Sequence, residues 1–377
     1  MSTVSGSGNS RPCVALVSSR ADVGGGPEHV LKLLRGLRDQ CVFLVACPRE
    51  APYWGRYAEV VGEANMLAIG SRSLRPADLL RLRAFVRARG ASVLHSHGHG
   101  AGVLARLCVP GGVPVIHTHH GLHFGGHAPG LRRSALLVLQ RVLERRTALS
   151  VFVSGDESHA ARRLGLARRR SVVIRNGVEV PVTPRRLHGQ PGAPLRIATV
   201  SRFNRQKNPE GLLAVVAALA ALDAGRDSFA VDVFGDGPER SRFEAALNET
   251  GLAPMVRLHG TVPDLGAALA GSDVFFSSSR WEGLPLSVLE AMGLGLPVVL
   301  SEVDGHGDIL AACAQGAQGY ALEQPAAAAA ALQRLRDPAL RAGAGAAARD
   351  CIGSCYSLET MLQQTLHAYR ACLETKH

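Results

Sequence analysis

Short runs of Val, Ile, Leu and Ala alternate along the chain with stretches in which apolar residues recur every three to four positions. The first pattern suits a strand buried on both faces, the second a helix laid against a sheet, and their alternation predicts parallel α/β architecture. In the first half the strands are expected at 14–17, 42–46, 66–69, 93–95, 115–117, 151–153 and 172–174, with helices over 28–37, 77–88 and 134–145. Residues 179–195 carry prolines at 181, 184, 191 and 194 and read as a linker. The alternation then restarts, with strands at 196–200, 230–234, 256–258, 274–277 and 298–300. Pro325 opens an Ala-rich surface helix, and Ser357 can cap a last helix over 358–373. The expected fold is therefore two Rossmann-like, doubly wound parallel-sheet domains facing across a cleft, since open sheets of this kind bind ligands beyond the carboxyl ends of their strands.

Length and composition fit that reading, because 377 residues with 46% apolar content can build two cores of ordinary size. No apolar run reaches membrane-spanning length and residues 1–11 lack the core of a signal peptide, so a cytoplasmic protein with an unstructured N-terminus is expected. The eight cysteines include no Cys-x-x-Cys pair, which favours reduced, mostly buried thiols over zinc or disulfides. Charge is uneven: residues 1–188 hold 27 Lys/Arg against 11 Asp/Glu, whereas the whole chain has a net charge of +11, so the second half is mildly acidic. A basic first half points to an anionic partner (a membrane surface, an acidic acceptor or nucleic acid) or simply to Arg-rich solvated helix faces. Nucleic acid is disfavoured because the basic segments lack interleaved aromatic platforms.

Candidate chemistry concentrates at 281–297. There a strand ends, a Gly283-Leu284-Pro285 turn follows, and a helix begins near Leu286. A helix start aims unpaired amides and the positive dipole end beyond the strand, which suits a phosphate held by the amides of Gly283, Leu284, Pro285's neighbour Leu286 and Ser287. Glu282 before the turn and Glu290 inside the helix would be carboxylates beside an anion site, and accepting hydrogen bonds from sugar or ribose hydroxyls gives them a use. Arg202 and Lys207 follow the first strand of the same domain, at the same sheet edge, and can converge on a diphosphate, Arg as a planar fork and Lys as a point charge. In the first half Gly24-Gly25-Gly26 makes a tight strand-to-helix turn, but not a dinucleotide fingerprint. The segments His95-Ser96-His97-Gly98-His99 and His117-Thr118-His119-His120-Gly121-Leu122-His123 cluster imidazoles at strand ends. Without an accompanying Cys or carboxylate, and with no Asp-x-Asp in the chain, no metal is expected.

Taken together, VSRFNRQKNPEGLL, VFGDGPER, VRLHGTVPDL, SSRWEGLPLSVLEAMGLGLPVV and EVDGHGDIL resemble the second half of retaining GT-B glycosyltransferases of family 4, with Glu282 and Glu290 as their E-x7-E pair. DVGGGPEHVLKLLRGL is similar to the GGxxxHVxxL opening of the family's first domain, so the likeness covers nearly the whole chain. It implies an acceptor-side domain at 12–180, a linker at 181–194, a nucleotide-sugar domain at 195–355 and a C-terminal helix, 356–377, that can return to the first domain. Arg202 and Lys207 would hold the diphosphate, Glu282 the donor sugar and Glu290 the ribose, with Thr261 and Val262 facing the base. Gly24 and Gly25 would approach the phosphates, and His120 takes the position of the family's sugar-contacting histidine in Thr118-His119-His120-Gly121. The implied activity is transfer of a sugar, with retention and without a metal or other cofactor, from a nucleotide-diphosphate sugar to a glycan or lipid-linked acceptor in polysaccharide or glycolipid synthesis. One departure stands out: Asp308 replaces the Glu of the family's GG-x-x-E, with the charge kept and the reach shortened. Two other readings of the same fold are a non-catalytic nucleotide-sugar or polyanion-binding protein and a nucleotide-sugar epimerase. The pattern LRRSALLVLQRVLERR at 131–146, with the arginines at 81, 83, 87 and 89, adds a candidate peripheral contact with an anionic membrane on its inner face.

Overall fold

The expected strands all form, and they pair side by side in parallel. The computed structural model describes residues 11–71, 75–108, 111–122, 130–167, 169–181, 193–222 and 226–374, apart from the Arg132 side chain. Almost all of the expected N-terminal tail, most of the 181–194 linker, and His123 lie outside these residues. In chain order the first elements are β1 (Cys13–Ser18), α1 (Gly25–Leu37), β2 (Val42–Cys47), α2 (Tyr53–Val61), β3 (Met66–Ala68), α3 (Pro76–Ala88) and β4 (Val93–His97). They are followed by α4 (His99–Cys108), β5 (Val115–Thr118), α5 (Gly130–Glu144), β6 (Leu149–Phe152), α6 (Gly155–Arg163) and β7 (Ser171–Val173). The later elements are β8 (Leu195–Val200), α7 (Pro209–Ala220), β9 (Phe229–Phe234), α8 (Arg240–Glu249), β10 (Val256–Gly260), α9 (Leu265–Leu269) and β11 (Val274–Ser277). Then come α10 (Leu286–Gly293), β12 (Val298–Ser301), α11 (Gly307–Ala312), β13 (Ala317–Tyr320), α12 (Pro325–Arg334), α13 (Pro338–Cys355) and α14 (Leu358–Glu374).

The chain divides into two units, one made of Met1–Val153, Ala160–Ile174 and Leu362–His377, the other of Ser154–His159 and Arg175–Met361. The first unit's sheet has seven strands among the described residues, in the order β3-β2-β1-β4-β5-β6-β7. Its central strands β1 and β4 are buried almost throughout, as strands of a parallel sheet covered by helices are, although β4 carries His95, Ser96 and His97. One layer of core joins Ala15, Val17, Leu44 and Leu94 to Leu82 and Val86 of α3 and Leu104 of α4. The end of α14 packs here too: Leu362 lies so close to Gly36 of α1 that a Cβ there would fall 2.3 Å from its Cδ1. β4 runs to His97, two residues past the apolar run, since His97 still pairs with Ser18 of β1 and Thr118 of β5.

Among the described residues the second unit's sheet has six strands, ordered β10-β9-β8-β11-β12-β13. Ile197, Val231, Val233, Val274 and Phe276 of the sheet pack with Leu212 and Val216 of α7 and Phe243 and Leu247 of α8. Each such side chain, once fully buried, contributes on the order of 2 kcal/mol of transfer free energy. The strand absent from the sequence reading is β13, Ala-Gln-Gly-Tyr, which has little strand propensity of its own. Pairing with β12 creates it, Val298 with Ala317 through Ser301 with Tyr320.

Candidate active site

In the second unit the strand order reverses between β8 and β11, the point at which open parallel sheets bind ligands beyond the carboxyl edge. The residues at that point are 201–208 and 278–285. The first loop is locked from below. Phe203 adopts φ 38° and Asn208 φ 52°, left-handed values that bulky residues avoid unless held there. Phe203 is held by complete burial, with its ring 5.4 Å from that of Phe243. Asn208 accepts from the Gly211 N–H at 3.2 Å, capping α7, and its Nδ2 donates to the Ser278 carbonyl at 3.0 Å. Gly237, beyond β9, lies against the backbone, and a Cβ there would sit 1.6 Å from the Arg202 carbonyl oxygen. The loop that carries Arg202 thus rests on a floor with no room for a side chain.

The second loop is stitched to the first. Ser278 Oγ donates to the Lys207 and Asn208 carbonyls, the Arg280 N–H donates to the Gln206 carbonyl at 2.8 Å, and the Glu282 N–H donates to the Asp304 carbonyl at 2.9 Å. These bonds set Glu282 beside Lys207. Lys207 Nζ and Ser279 Oγ each donate to Glu282 Oε1 at 2.7 Å, and Gln206 Nε2 donates to Oε2 at 3.2 Å. The pair is largely withdrawn from water, with the Lys207 and Glu282 side chains 12% and 8% exposed. Burial pushes the Glu282 carboxyl up, but the Lys207 charge, a nearby His306 and the two short hydrogen bonds outweigh it and leave its pKa below the ordinary carboxylate value. His306 itself is shifted down, chiefly by burial.

Beyond Glu282 the turn delivers α10. Asn176 Nδ2 fixes it by donating to the Leu284 carbonyl at 2.7 Å. Among the described residues no side chain caps the helix. Val288 and Leu289 donate to the Pro285 carbonyl, so the amides of Leu286 and Ser287 precede the first intrahelical bond. Glu290 sits one turn inside α10, and Thr261 and Val262 follow β10 at the same sheet edge, after a left-handed Gly260. The second-unit residues expected at the site follow strands at one sheet edge: Arg202, Lys207, Thr261, Val262, Glu282, Gly283, Leu284 and Pro285 on loops, and Leu286, Ser287 and Glu290 in the first turns of α10. Electrostatically the edge offers two cations, a helix start and buried carboxylate oxygen, the combination that receives a phosphate together with hydroxyl groups.

Asp308 has a different use. Its carboxylate accepts the Gly155 N–H at 2.7 Å and the Asp156 N–H at 3.1 Å, with Arg175 Nε 3.5 Å away. In return Asp156 Oδ2 accepts the Gly305 and Asp308 N–H groups, each at 3.1 Å. The starts of α6 and α11 cap each other, and the shorter Asp side chain serves that exchange.

In the first unit the strand order reverses between β1 and β4. Gly24 stands just before α1 and Gly25 is its first residue, so the helix begins three residues earlier than its apolar periodicity suggested. Arg20 is tied down by a two-pronged ion pair with Asp22, at 2.7 and 2.9 Å. His120, two residues beyond β5, is held at φ 59°, and its Nε2 lies 3.1 Å from Nδ1 of His97. His29 of α1 completes a triangle of rings, 4.7 Å from His120 and 5.4 Å from His97 between centroids. His95 backs them, with its nitrogens bonded to Tyr369 Oη and Thr118 Oγ1 at 2.8 Å each. Burial drives His95 and His119 down to about 3, and His97 and His117 also titrate well below the ordinary value, so these imidazoles are neutral at pH 7. One nitrogen from each of His29, His97 and His120 lies within 4.8 Å of the other two, a spacing a metal ion could bridge.

Four participants escaped the sequence reading. Gln206 and Ser279 lie within motifs already singled out, but their bonds to Glu282 depend on how two loops meet. Asp156 and His29 lie far in sequence from the groups they join. His29 had a signal in the HV of GGxxxHV, which reads equally well as part of a helix's buried face.

Comparison with known proteins agrees with the geometry. The model for glycosyltransferase family 4 matches residues 23–181, and that for glycosyl transferases group 1 matches residues 185–350. A relative in Escherichia coli, UDP-Gal:alpha-D-GlcNAc-diphosphoundecaprenol alpha-1,3-galactosyltransferase, is 26% identical over 249 residues, which are 61% of this chain and 62% of that one. The chain thus aligns with less than two thirds of that relative's length. Among solved structures, sucrose-phosphate synthase from Thermosynechococcus elongatus superposes with a TM-score of 0.80 at 20% identity, over 97% of this chain and 100% of that one. HepE of Anabaena, in complex with UDP and glucose, does so with a TM-score of 0.79 at 16% identity, over 96% and 100% of the respective chains. With both halves matched and two doubly wound parallel sheets in place, the chain belongs to the GT-B glycosyltransferases of family 4.

Proposed function

We propose that this chain transfers a sugar from a nucleotide-diphosphate sugar to a hydroxyl of a glycan or lipid-linked acceptor, with retention of configuration, in cell-surface polysaccharide or glycolipid assembly. The observation that carries the proposal is the buried Lys207–Glu282 pair, 2.7 Å long, set before the open start of α10. An ammonium has three donors. Glu282 takes one, and the rest can serve a phosphate oxygen, with Arg202 as the second cation and the Leu286 and Ser287 amides as the dipole end. Glu282 keeps acceptor capacity for a sugar hydroxyl, and Glu290 is the candidate for the ribose, with Thr261 and Val262 toward the base.

As the glycosidic bond lengthens, negative charge grows on the leaving phosphate, and fixed cations and amides stabilise that change more than they stabilise the bound donor. This charge set does the work that a metal does in other sugar transferases, so the reaction is proposed to need none. The acceptor oxygen attacks from the face the diphosphate leaves, and the acceptor's proton passes to the departing phosphate oxygen. On the strength of their motifs, His120 is proposed to contact the donor sugar, and Gly24 and Gly25 to let the backbone approach the phosphates.

The names of the two relatives, one acting from UDP-Gal on a diphosphoundecaprenol-linked sugar and one holding UDP with glucose, support a uridine nucleotide and a lipid-linked acceptor as first choices. A lipid-linked acceptor makes peripheral contact with the inner face of a membrane part of the proposal, through α5, where Leu131, Val138 and Val142 are 89%, 57% and 54% exposed.

The test is a panel of UDP-, GDP- and ADP-sugars against the purified protein, first for thermal stabilisation and then for transfer. One nucleotide class should raise Tm, because only a bound donor shifts the unfolding equilibrium. Arg202→Ala should then cut transfer about 10²–10³-fold, the scale for losing one preorganised charge donor. Near-normal transfer by that variant would refute the assignment, and hydrolysis or isomerisation of the donor without acceptor would favour an epimerase.

A further inference from the structure

The triangle of His29, His97 and His120 has a property that sugar transfer does not use. Nδ1 of His97 and Nε2 of His120 are 3.1 Å apart, which places one proton between the two nitrogens. Among the described residues the other nitrogen of His97, Nε2, is buried without a hydrogen-bond partner.

A metal ion binds imidazole lone pairs, and between Nδ1 of His97 and Nε2 of His120 it would take the place of that proton. The geometry is close to what is needed. Tetrahedral zinc at about 2.0–2.1 Å from each nitrogen spaces its nitrogen ligands roughly 3.3 Å apart. The His97–His120 contact is already near that spacing, and with all three nitrogens within 4.8 Å of one another the remaining approach is small. The ligands come from three separate places, α1, the end of β4 and the left-handed residue after β5, so the triad is set by the tertiary fold. His95 lies against His97, its centroid 4.1 Å away, and is itself fixed by Tyr369 and Thr118, which gives a second shell that orients the central ligand.

We propose that His29, His97 and His120 form a binding site for a divalent transition-metal ion of the zinc class, with three imidazole ligands and a fourth position open to water, and that the bound ion inhibits transfer by occupying His120. Imidazole without carboxylate or thiolate suits Zn²⁺, Co²⁺, Ni²⁺ or Cu²⁺ and rejects Mg²⁺ and Ca²⁺. The inhibition rests on the function proposed above, whereas the binding does not.

The experiment uses the full chain after chelator treatment. Titration with Co²⁺ should produce the visible bands of a four- or five-coordinate site and saturate at one ion per chain, and Zn²⁺ should bleach them by displacement. His29→Gln and His97→Gln, each checked for native circular dichroism, should weaken Co²⁺ binding at least about tenfold, whereas His159→Gln, at an exposed histidine of α6, should not. Two variants guard against one that fails to fold. No visible bands in the unmodified chain, or equal affinity in both cluster variants, would overturn the site. In the transfer assay, stoichiometric Zn²⁺ should lower the rate of the unmodified chain by about tenfold or more while Mg²⁺ leaves it unchanged. Full activity with the site saturated would overturn the inhibition alone, and an inactive metal-free protein would count against the proposed function and leave the site standing.

Discussion

At Lys207 and Glu282 binding and stability share the same atoms. With both side chains largely buried, deleting the ammonium strands a carboxylate that still has to be desolvated, which typically costs about 3–5 kcal/mol. Lys207→Ala is therefore expected to destabilise the chain by roughly 3 kcal/mol and to raise the Glu282 pKa, because burial then acts without its counterweight. Adding Glu282→Gln to Lys207→Ala should recover most of that loss, since a neutral amide can keep the Ser279 bond. Urea unfolding of the two single variants and the double variant measures the coupling. Additive losses, each below about 1 kcal/mol, would mean that the pair is no more than a surface salt bridge. A consequence for activity follows: lost transfer in Lys207→Ala mixes a missing phosphate contact with a weakened loop, whereas Arg202→Ala reports on the donor more directly.

Among the elements, what could be read ahead of the structure depended on where the information lay. β1, β8 and β11 are buried on both faces and appear as unbroken apolar runs, so their positions were plain from local pattern. The E-x7-E pair and the Arg202–Lys207 spacing each said little alone and gained weight from standing together in segments that resemble the family's motifs. β13 and His29 were not plain, since one exists through its pairing with β12 and the other acts through contacts with residues far along the chain. Gly237 and Gly305 looked like ordinary turn residues until the backbones of Arg202 and Glu282 were found against them. For α5 the pattern was ambiguous between a helix packed on the sheet and one lying on a bilayer. Its exposed Leu131, Val138 and Val142 fall on one stripe, with Arg141 exposed nearby, an arrangement that lets apolar tips enter an interface while arginines meet lipid phosphates. The chain should co-sediment with vesicles containing anionic lipid and be released by about 0.5 M salt, where screening collapses the attraction. Val138→Asp together with Val142→Asp should abolish the association without changing the fold, and equal binding to neutral vesicles would argue against an anionic surface.

On the scale of the whole molecule, the two units respond to acid through different groups. In the first, His95, His97, His117 and His119 are neutral and titrate far below 6.5, the value that burial removes them from. Below pH 6.5 the unfolded chain takes up protons that the folded one refuses, so stability is full above that pH and falls as the solution is acidified from 6.5 toward 3. The slope is about 1.4 kcal/mol per pH unit for each such histidine. In the second unit a single buried histidine, His306, is shifted down in the same sense, and Glu282, whose pKa in the folded chain lies below the ordinary 4.5, keeps its contribution above that value and loses it on further acidification. With four such histidines against one, the first unit should lose stability more steeply below pH 6.5 and fail first. The chain's only tryptophans report on one unit each, Trp54 on α2 and Trp281 next to Glu282. In chelator-treated protein, Trp281→Phe leaves Trp54 as the probe and Trp54→Phe leaves Trp281, and acid titration of the two should give midpoints separated by at least about one pH unit, Trp54 moving first. Coincident midpoints, or an earlier change at Trp281, would show that the buried imidazoles of the first unit do not set its acid limit.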